Sequence, residues 1–429
     1  MNNIPVVKLG IIAVSRDCFP IQLSEKRRAA IKAAYKGELY ECPVTVENEK
    51  DMEKALEDVN KAECNALVVF VGTADDIAKM IGDFVPVARA VIGVRNLKII
   101  TFGPRPQDFF ACNAPIKGLY ELGVEIEENS ELDLLVAFKE HENDPRIPEV
   151  CADMAKEMGE GKYYEDLNAR MAQFELTLLD WAEAHKGARK YVAFADKCWP
   201  AFPSQFGFEP CYVNSRLASR GIPVSCEVDI YGALSEYIGL CISNDAVTLL
   251  DINNSVPKYI YDEDIKGKYD YKLTDTFMGF HCGNTPACKM CESRAVKYQL
   301  IQHRLLEPAG SDPDFTRGTL EGDIAASDIT FYRLQCNSEG ELVAYVAEGE
   351  VLDVPTRSFG GIGIFAIKEM GRFYRHVLIE GNYPHHGAVM FGHYGKQFFE
   401  VVKFLGLDVK KIGYNQPAGV RYPTENPWG

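Results

Sequence analysis

In the N-terminal third of the chain, short uninterrupted apolar runs alternate with longer stretches whose apolar positions recur every three or four residues. "VVKLGIIAVS" (6–15) is a strand-like run, and "SEKRRAAIKAAYKG" (24–37) is helix-patterned, with Gly37 as its stop signal. "LYECPVTV", the helix-like "NEKDMEKALEDVNKA" and the buried-strand run "ALVVFVG" (66–72) continue the rhythm. A βαβαβ order implies a parallel sheet with helices on its faces, because parallel neighbours need a crossover between them. "LKIITFG" (97–103) adds a further strand, ending in "GPRP".

The stretch 144–163 reads as a helix with a Gly-rich end, followed by the amphipathic helix "YYEDLNARMAQFELTLLDWAEAHKG" (163–187). A second α/β unit then begins at "KYVAFADKCWP", with strands expected near 190–195, 222–226 and 246–251. Beyond about residue 265 the texture changes. "DITFYRLQCNSEGELVAYVAEGEVLD" (328–353) is rich in Phe, Tyr, Val and Thr around a turn at Asn337–Gly340, the pattern of an antiparallel hairpin. A last helix is expected over roughly His386–Leu405. The expected fold class is α/β, with two doubly wound parallel-sheet domains and a C-terminal β-rich, barrel-like domain. The expected boundaries are 1–160, 161–265 and 266–429.

Composition narrows the function classes. The chain is 47% hydrophobic and 25% charged, as in a water-soluble globular protein. No apolar run approaches the ~20 residues of a membrane span. The opening lacks a basic segment and a small-residue cleavage site, so it reads as a buried strand rather than a signal peptide. A formal net charge of −16, with no basic block to offset it, argues against a nucleic-acid partner. The 13 cysteines, without an export signal, read as reduced thiols of a cytoplasmic protein.

Candidate chemistry begins with two acids. Glu227, in "IPVSCEVDIYGALSEYIGL", sits at a strand-to-helix junction, and Asp251 ends the strand "DAVTLLD". If these strands are parallel neighbours, both carboxylates project from their C-terminal edges into one crevice. The competing reading is that an acid at a helix start is a cap, and Asp229 is the natural cap here. "PHHGAVMFGHYGKQF" (384–398) supplies three histidines. In a helix His386 and His393 would be two turns, ~10 Å, apart, too far to share one ion. His386 is the preferred ligand and His385 a neighbouring polar contact; a surface or satisfied core role is the alternative. Hard oxygen donors with one imidazole suit Mn²⁺, Mg²⁺ or Co²⁺. "FHCGNTPACKMCESR" (280–294) offers Cys282, Cys288, Cys291 and His281, but its spacing fits no common zinc or iron–sulfur pattern.

"EVDIYGAL" (227–234), "LLDINN" (249–254) and "HHGAVMFGHYGKQFFEVVKFLGL" (385–407) stand in the order and approximate spacing found in the L-fucose/L-arabinose isomerase superfamily. The chain most resembles its fucose isomerase-like branch, which carries a His-Gly pair followed by a Gly-His, as His386–Gly387 and Gly392–His393 stand here. The resemblance covers the second and third expected domains well and the first only in general architecture.

It implies a divalent metal, typically Mn²⁺, held by Glu227, Asp251 and His386. Glu227 and Asp251 would serve as general base and acid in an aldose–ketose isomerisation through an enediol. The substrate would be an open-chain sugar: L-fucose, D-arabinose, or an anionic hexose such as sulfoquinovose. The resemblance further implies a homo-oligomer, a hexamer, with pockets shared between subunits. It makes Arg16 and Arg105 candidate substrate contacts, against the plainer reading of surface ion pairs. The "HCGN" segment likewise suggests sugar contacts from His281 and Asn284. Arg357, before the Gly pair of "TRSFGGIGIF", is a further candidate. An acid–acid–His set disfavours the alternative of a non-catalytic cytosolic sugar-binding or sensor protein.

Overall fold

The computed structural model describes residues 2–16, 20–70, 74–107, 109–113, 115–426 and 428; the end of the 66–72 run lies outside them. Two compact units divide the chain, one of residues 4–92 and one of residues 1–3 with 93–429. In the first, β1 (Leu9–Val14), β2 (Tyr40–Val46) and β3 (Ala66–Val69) form a parallel sheet in the order β2-β1-β3. The crossover helix Glu49–Lys61 starts where the Asn48 side chain accepts from the Lys50 and Asp51 amides, satisfying two of the orphan donors of its first turn. Ile11, Ile31, Leu39, Ile77 and Ile81 close this unit's core.

The larger unit contains a second parallel sheet, ordered β5-β4-β6-β7. Its strands are β4 (Leu97–Phe102), β5 (Glu125–Asn129), β6 (Tyr191–Asp196) and β7 (Val224–Cys226). Strands from before residue 160 therefore pair with strands from after it. The helix Glu165–His185 buries Met171, Phe174 and Leu178 in a core shared with Phe194, Phe206 and Phe208.

The remaining strands form a mixed nine-stranded sheet among the described residues. They are β8 (Val247–Ser255), β9 (Thr276–His281), β10 (Ala295–Tyr298), β11 (Arg317–Asp323), β12 (Ser327–Cys336), β13 (Leu342–Val351), β14 (Gly361–Ala366), β15 (His386–Phe391) and β16 (Ile412–Tyr414). Because β13 also pairs with β14, the run β14-β9-β8-β15-β12-β13 closes on itself as an antiparallel barrel. Closure removes the open edges that invite misassociation. The β12–β13 hairpin turns at the expected place, with the Asn337 amide donating to Glu341 O and Gly340 in the left-handed region at φ 81°.

Two expectations need correction. β7 and β8 are not parallel neighbours: β7 ends the parallel sheet, whereas β8 lies in the barrel between antiparallel β9 and β15. The helix Ile230–Ser243 carries the chain from one sheet to the other, packing against β6 and β7 and against β12 and β15. It is buried on every face, which its all-round apolar sequence dictates. The segment 386–405 is likewise not one helix. "HGAVMF" hydrogen-bonds as a strand to β8 and β12, Gly392 breaks the chain direction at φ 127°, and the helix is confined to Gly395–Phe404. His386 and His393 consequently share no helical face.

Candidate metal and sugar site

Glu227 leaves β7 in a strained conformation. It and Val228 both occupy the left-handed region, at φ 62° and 55°, where a β-branched residue such as Val is an outlier. The turn is held by the Val228 amide on Asp196 O (3.0 Å) and the Asp229 amide on Cys226 O (3.1 Å). Asp229 then caps the central helix, its Oδ1 accepting from the Gly232 amide at 2.8 Å. Strain of this kind persists only where the surroundings over-determine it, and it concentrates at functional sites.

His386 opens β15 and is wholly buried. Its Nε2 lies 3.2 Å from Glu227 Oε2 and 3.2 Å from Asp251 Oδ1. The ligand atoms of Glu227, His281 and His386 lie within 4.8 Å of one another, as do those of Asp251, His385 and His386. Among the described residues, Glu227 Oε2, Asp251 Oδ1, His386 Nε2, His281 Nε2 and Asn284 Oδ1 are buried without a hydrogen-bonding partner. Orphaned buried polar atoms are costly, and two carboxylate oxygens that each approach the same imidazole nitrogen are donors suited to a hard divalent cation. The residues present fit such an ion.

The electrostatics agree with that reading. Burial alone would raise the Asp251 carboxyl, but its contact with His386 and the nearby His281 and His385 hold it below the ordinary value. Asp229 is likewise held far below its ordinary value: burial opposes ionisation, and Arg333 with His386 overcomes it. Deeper in the same wall, burial pushes Asp196 up to about 7, with the charge of Glu227 adding to the effect.

The sequence-derived candidates divide into two sets. His385 joins the cluster, its Nε2 3.7 Å from Asp251 Oδ1 and its ring centroid 4.6 Å from that of His386. Both histidines of the pair therefore approach one carboxylate. His281 and Asn284 are buried beside them, His281 accepting from the Cys282 amide at Nδ1, so that Nε2 is the free nitrogen. Arg105 instead turns onto its own loop, donating to the carbonyls of Pro106 and Gln107 and lying over the Phe110 ring. Arg357 is paired with Glu263 and Asp264. Arg16 is exposed on the other compact unit, and His393 is exposed with Nε2 3.2 Å from Gly349 O. Among the described residues, Cys282, Cys288 and Cys291 enter no three-ligand cluster. A separate acid–His group, His141, Asp144 and Asp180, is neutralised by Arg146, which pairs with both carboxylates.

Arg333 escaped sequence reasoning. It is 2% exposed and donates from both terminal nitrogens to Asp229, at 2.8 Å each. The available signal was a single cation inside the apolar strand "ITFYRLQC", where burial without a partner is prohibitive. Asp229 also does more than cap, since His386 Nδ1 lies 2.8 Å from its Oδ2. A cavity of about 1210 Å³ is lined in part by Cys112, Asp229, Tyr231, Arg333 and Tyr383. Glu227, Asp251 and His386 are absent from its wall, so the orphaned atoms face elsewhere.

Comparison with known proteins finds similarity to sugar isomerases. Residues 10–73 match the profile of the fucose/sulfoquinovose isomerase N-terminal domain, and residues 279–413 that of the L-fucose isomerase C-terminal domain. A sulfoquinovose isomerase of Alkalicoccus urumqiensis is 25% identical over 361 residues, covering 80% of this chain and 71% of that protein. One from Priestia aryabhattai is 26% identical over 332 residues, covering 76% of this chain and 66% of that protein. The chain thus spans roughly two thirds of the length of the curated relatives it matches. Two matching domain profiles and these relatives make the chain similar to the fucose isomerase-like branch of the L-fucose/L-arabinose isomerase superfamily, a family of aldose–ketose isomerases.

Proposed function

We propose that this protein is a divalent-metal-dependent aldose–ketose isomerase of an open-chain sugar, with Glu227, Asp251 and His386 as the metal ligands. The observation that carries the reading is the convergence of unpartnered Glu227 Oε2, Asp251 Oδ1 and His386 Nε2 in one buried spot. Mn²⁺ is the preferred ion, with Co²⁺ or Mg²⁺ as substitutes, because the set combines hard oxygens with imidazole. Such a cation supplies Lewis-acid polarisation of the sugar carbonyl.

The chain's own groups move the protons. Glu227 takes the proton from C2, and the C–H electron pair becomes the C1=C2 bond while the C1=O1 π pair moves onto O1. Asp251 relays the oxygen-bound proton, accepting it from O2 and delivering it to O1, as the carbonyl forms at C2 and the C1=C2 pair takes back at C1 the proton held by Glu227. Atoms and electrons balance without a co-reactant, and positioned proton transfer of this kind contributes roughly 10²–10⁴-fold. His281, Asn284 and His385 border the same spot and would bind sugar hydroxyls.

The similarity to sulfoquinovose isomerases favours an anionic hexose such as sulfoquinovose over L-fucose or D-arabinose. Arg16 is the candidate for its head group, reaching the pocket of a neighbouring copy in a homo-oligomer, hexameric as the family resemblance implies. All described cysteines are free, which suits a reducing cytoplasm, and no helix of the described residues is long and apolar enough to cross a membrane. The test is incubation of Mn²⁺-loaded protein with a panel of aldoses that includes sulfoquinovose. Reversible ketose formation, lost on chelation, is expected; inertness toward every sugar would overturn the proposal.

A further inference from the structure

The donor count around Asp229 identifies a second layer behind the proposed ligands. An ionised carboxylate offers about four lone-pair sites. Here Oδ1 accepts from the Gly232 amide and Arg333 Nη2, and Oδ2 accepts from Arg333 Nη1, at 2.8 Å in each case. The remaining site meets His386 Nδ1 at 2.8 Å. Since Asp229 has no proton to give, His386 must be the donor in this bond, with its proton on Nδ1. With the proton kept at Nδ1, the nitrogen left to a cation is Nε2, which lies toward Glu227 and Asp251.

Arg333 is fixed in turn. Its Nε donates to Gln335 Oε1 at 2.9 Å, and Nη1 also lies 3.4 Å from His386 O. The guanidinium thus grips both the carboxylate that orients the ring and the backbone that carries it. Asp229, Arg333 and His386 are each no more than 2% exposed, so water does not compete for these bonds.

We infer that Asp229 and Arg333 form a positioning pair that sets the tautomer and orientation of His386 for metal binding. The inference rests on the proposed ligand role of His386. Both act through His386, which they contact directly. Outer partners of this kind typically alter metal affinity 10–100-fold.

The experiment is a titration of free Mn²⁺, followed by its electron paramagnetic resonance signal, into wild-type protein, Asp229→Asn, the charge-balanced double variant Asp229→Asn with Arg333→Met, and His386→Asn. The amide nitrogen of Asn at 229 would donate to Nδ1 and drive the ring proton to Nε2. We expect one Mn²⁺ site per chain in wild type, loss of that site in His386→Asn, and 10–100-fold weaker binding in both Asp229 variants. At saturating Mn²⁺ their kcat should return close to wild type, a rescue that disruption of the fold would not permit. The double variant guards against misfolding around an unpaired Arg333. Wild-type affinity in the Asp229 variants, or a kcat that excess Mn²⁺ does not restore, overturns the positioning role while leaving the ligand set standing. Absence of Mn²⁺ binding by wild-type protein removes the ligand set itself, and the inference with it.

Discussion

His386 and Asp251 stand directly opposite each other on antiparallel β15 and β8, with Nε2 and Oδ1 3.2 Å apart. Ladder register, rather than a loop, therefore holds two of the three proposed ligands together. The neighbouring strands contribute as well: β9 ends at His281, and β12 carries Arg333. Four adjacent strands of the barrel, β9-β8-β15-β12, thus converge on one spot, and Glu227 arrives from the parallel sheet. A one-residue slip of β15 would turn His386 to the opposite face.

A cation that binds only the folded protein stabilises it by mass action. At ~100 times its dissociation constant, Mn²⁺ should add about 2.7 kcal/mol to the free energy of unfolding. Calorimetry of chelator-treated protein with and without Mn²⁺ measures the increment. It should all but vanish in His386→Asn. Equal increments in the two proteins would place the ion elsewhere.

Glu227→Gln preserves the size of the side chain and the strained turn while removing the base. Turnover should fall at least roughly 10²–10⁴-fold, with the circular dichroism spectrum unchanged. Exchange of the sugar C2 hydrogen with solvent should disappear in parallel. If C2 exchange continued at the wild-type rate, Glu227 would not be the group that takes this proton.

Much of the fold was legible because local patterns and tertiary environment agree. The βαβ rhythm, the 328–353 hairpin and the β-rich C-terminal half all followed from periodicity and turn residues. The strand at 386–391 was misread because a short apolar run beside a true helix has no period that separates the two states. Glu227, Asp251 and His386 were nameable from motif order, and the structure brings their side chains together. The reason first offered, parallel neighbouring strands, was wrong, since a sequence does not announce that a central helix changes sheets. Arg333 stood out only as a lone cation in an apolar strand, and its partners, Asp229 and His386, lie far away in sequence.

Gly387, the residue after His386, has no room for a side chain. A Cβ there would lie 2.1 Å from Phe331 Cζ and 2.7 Å from Tyr345 Oη, two rings buried in the barrel interior. Gly387→Ala should cost about 1–3 kcal/mol through overpacking and should displace the His386 backbone. Urea denaturation and Mn²⁺ affinity should worsen together. A variant with wild-type stability would mean that the two rings yield freely.

Glu236 provides a pH test on the central helix. It is 2% exposed, and its Oε2 has no hydrogen-bonding partner. Burial, reinforced by the charge of Asp229, pushes its carboxyl up to about 8 from an ordinary 4.5, against the opposing pulls of Ser225, His386 and Arg333. The folded protein therefore keeps a proton that the unfolded chain loses once the pH exceeds the ordinary value. Stability from this group is fully present below about 4.5 and declines as pH rises toward about 8, by ~1.4 kcal/mol per pH unit at most. Glu236→Gln is neutral at every pH and escapes the decline. Measured by urea denaturation, the variant should match wild type near the acid end of the window and exceed it by a few kcal/mol above its upper end. A gap between the two proteins that stays constant across the window would show that Glu236 ionises as readily in the fold as outside it.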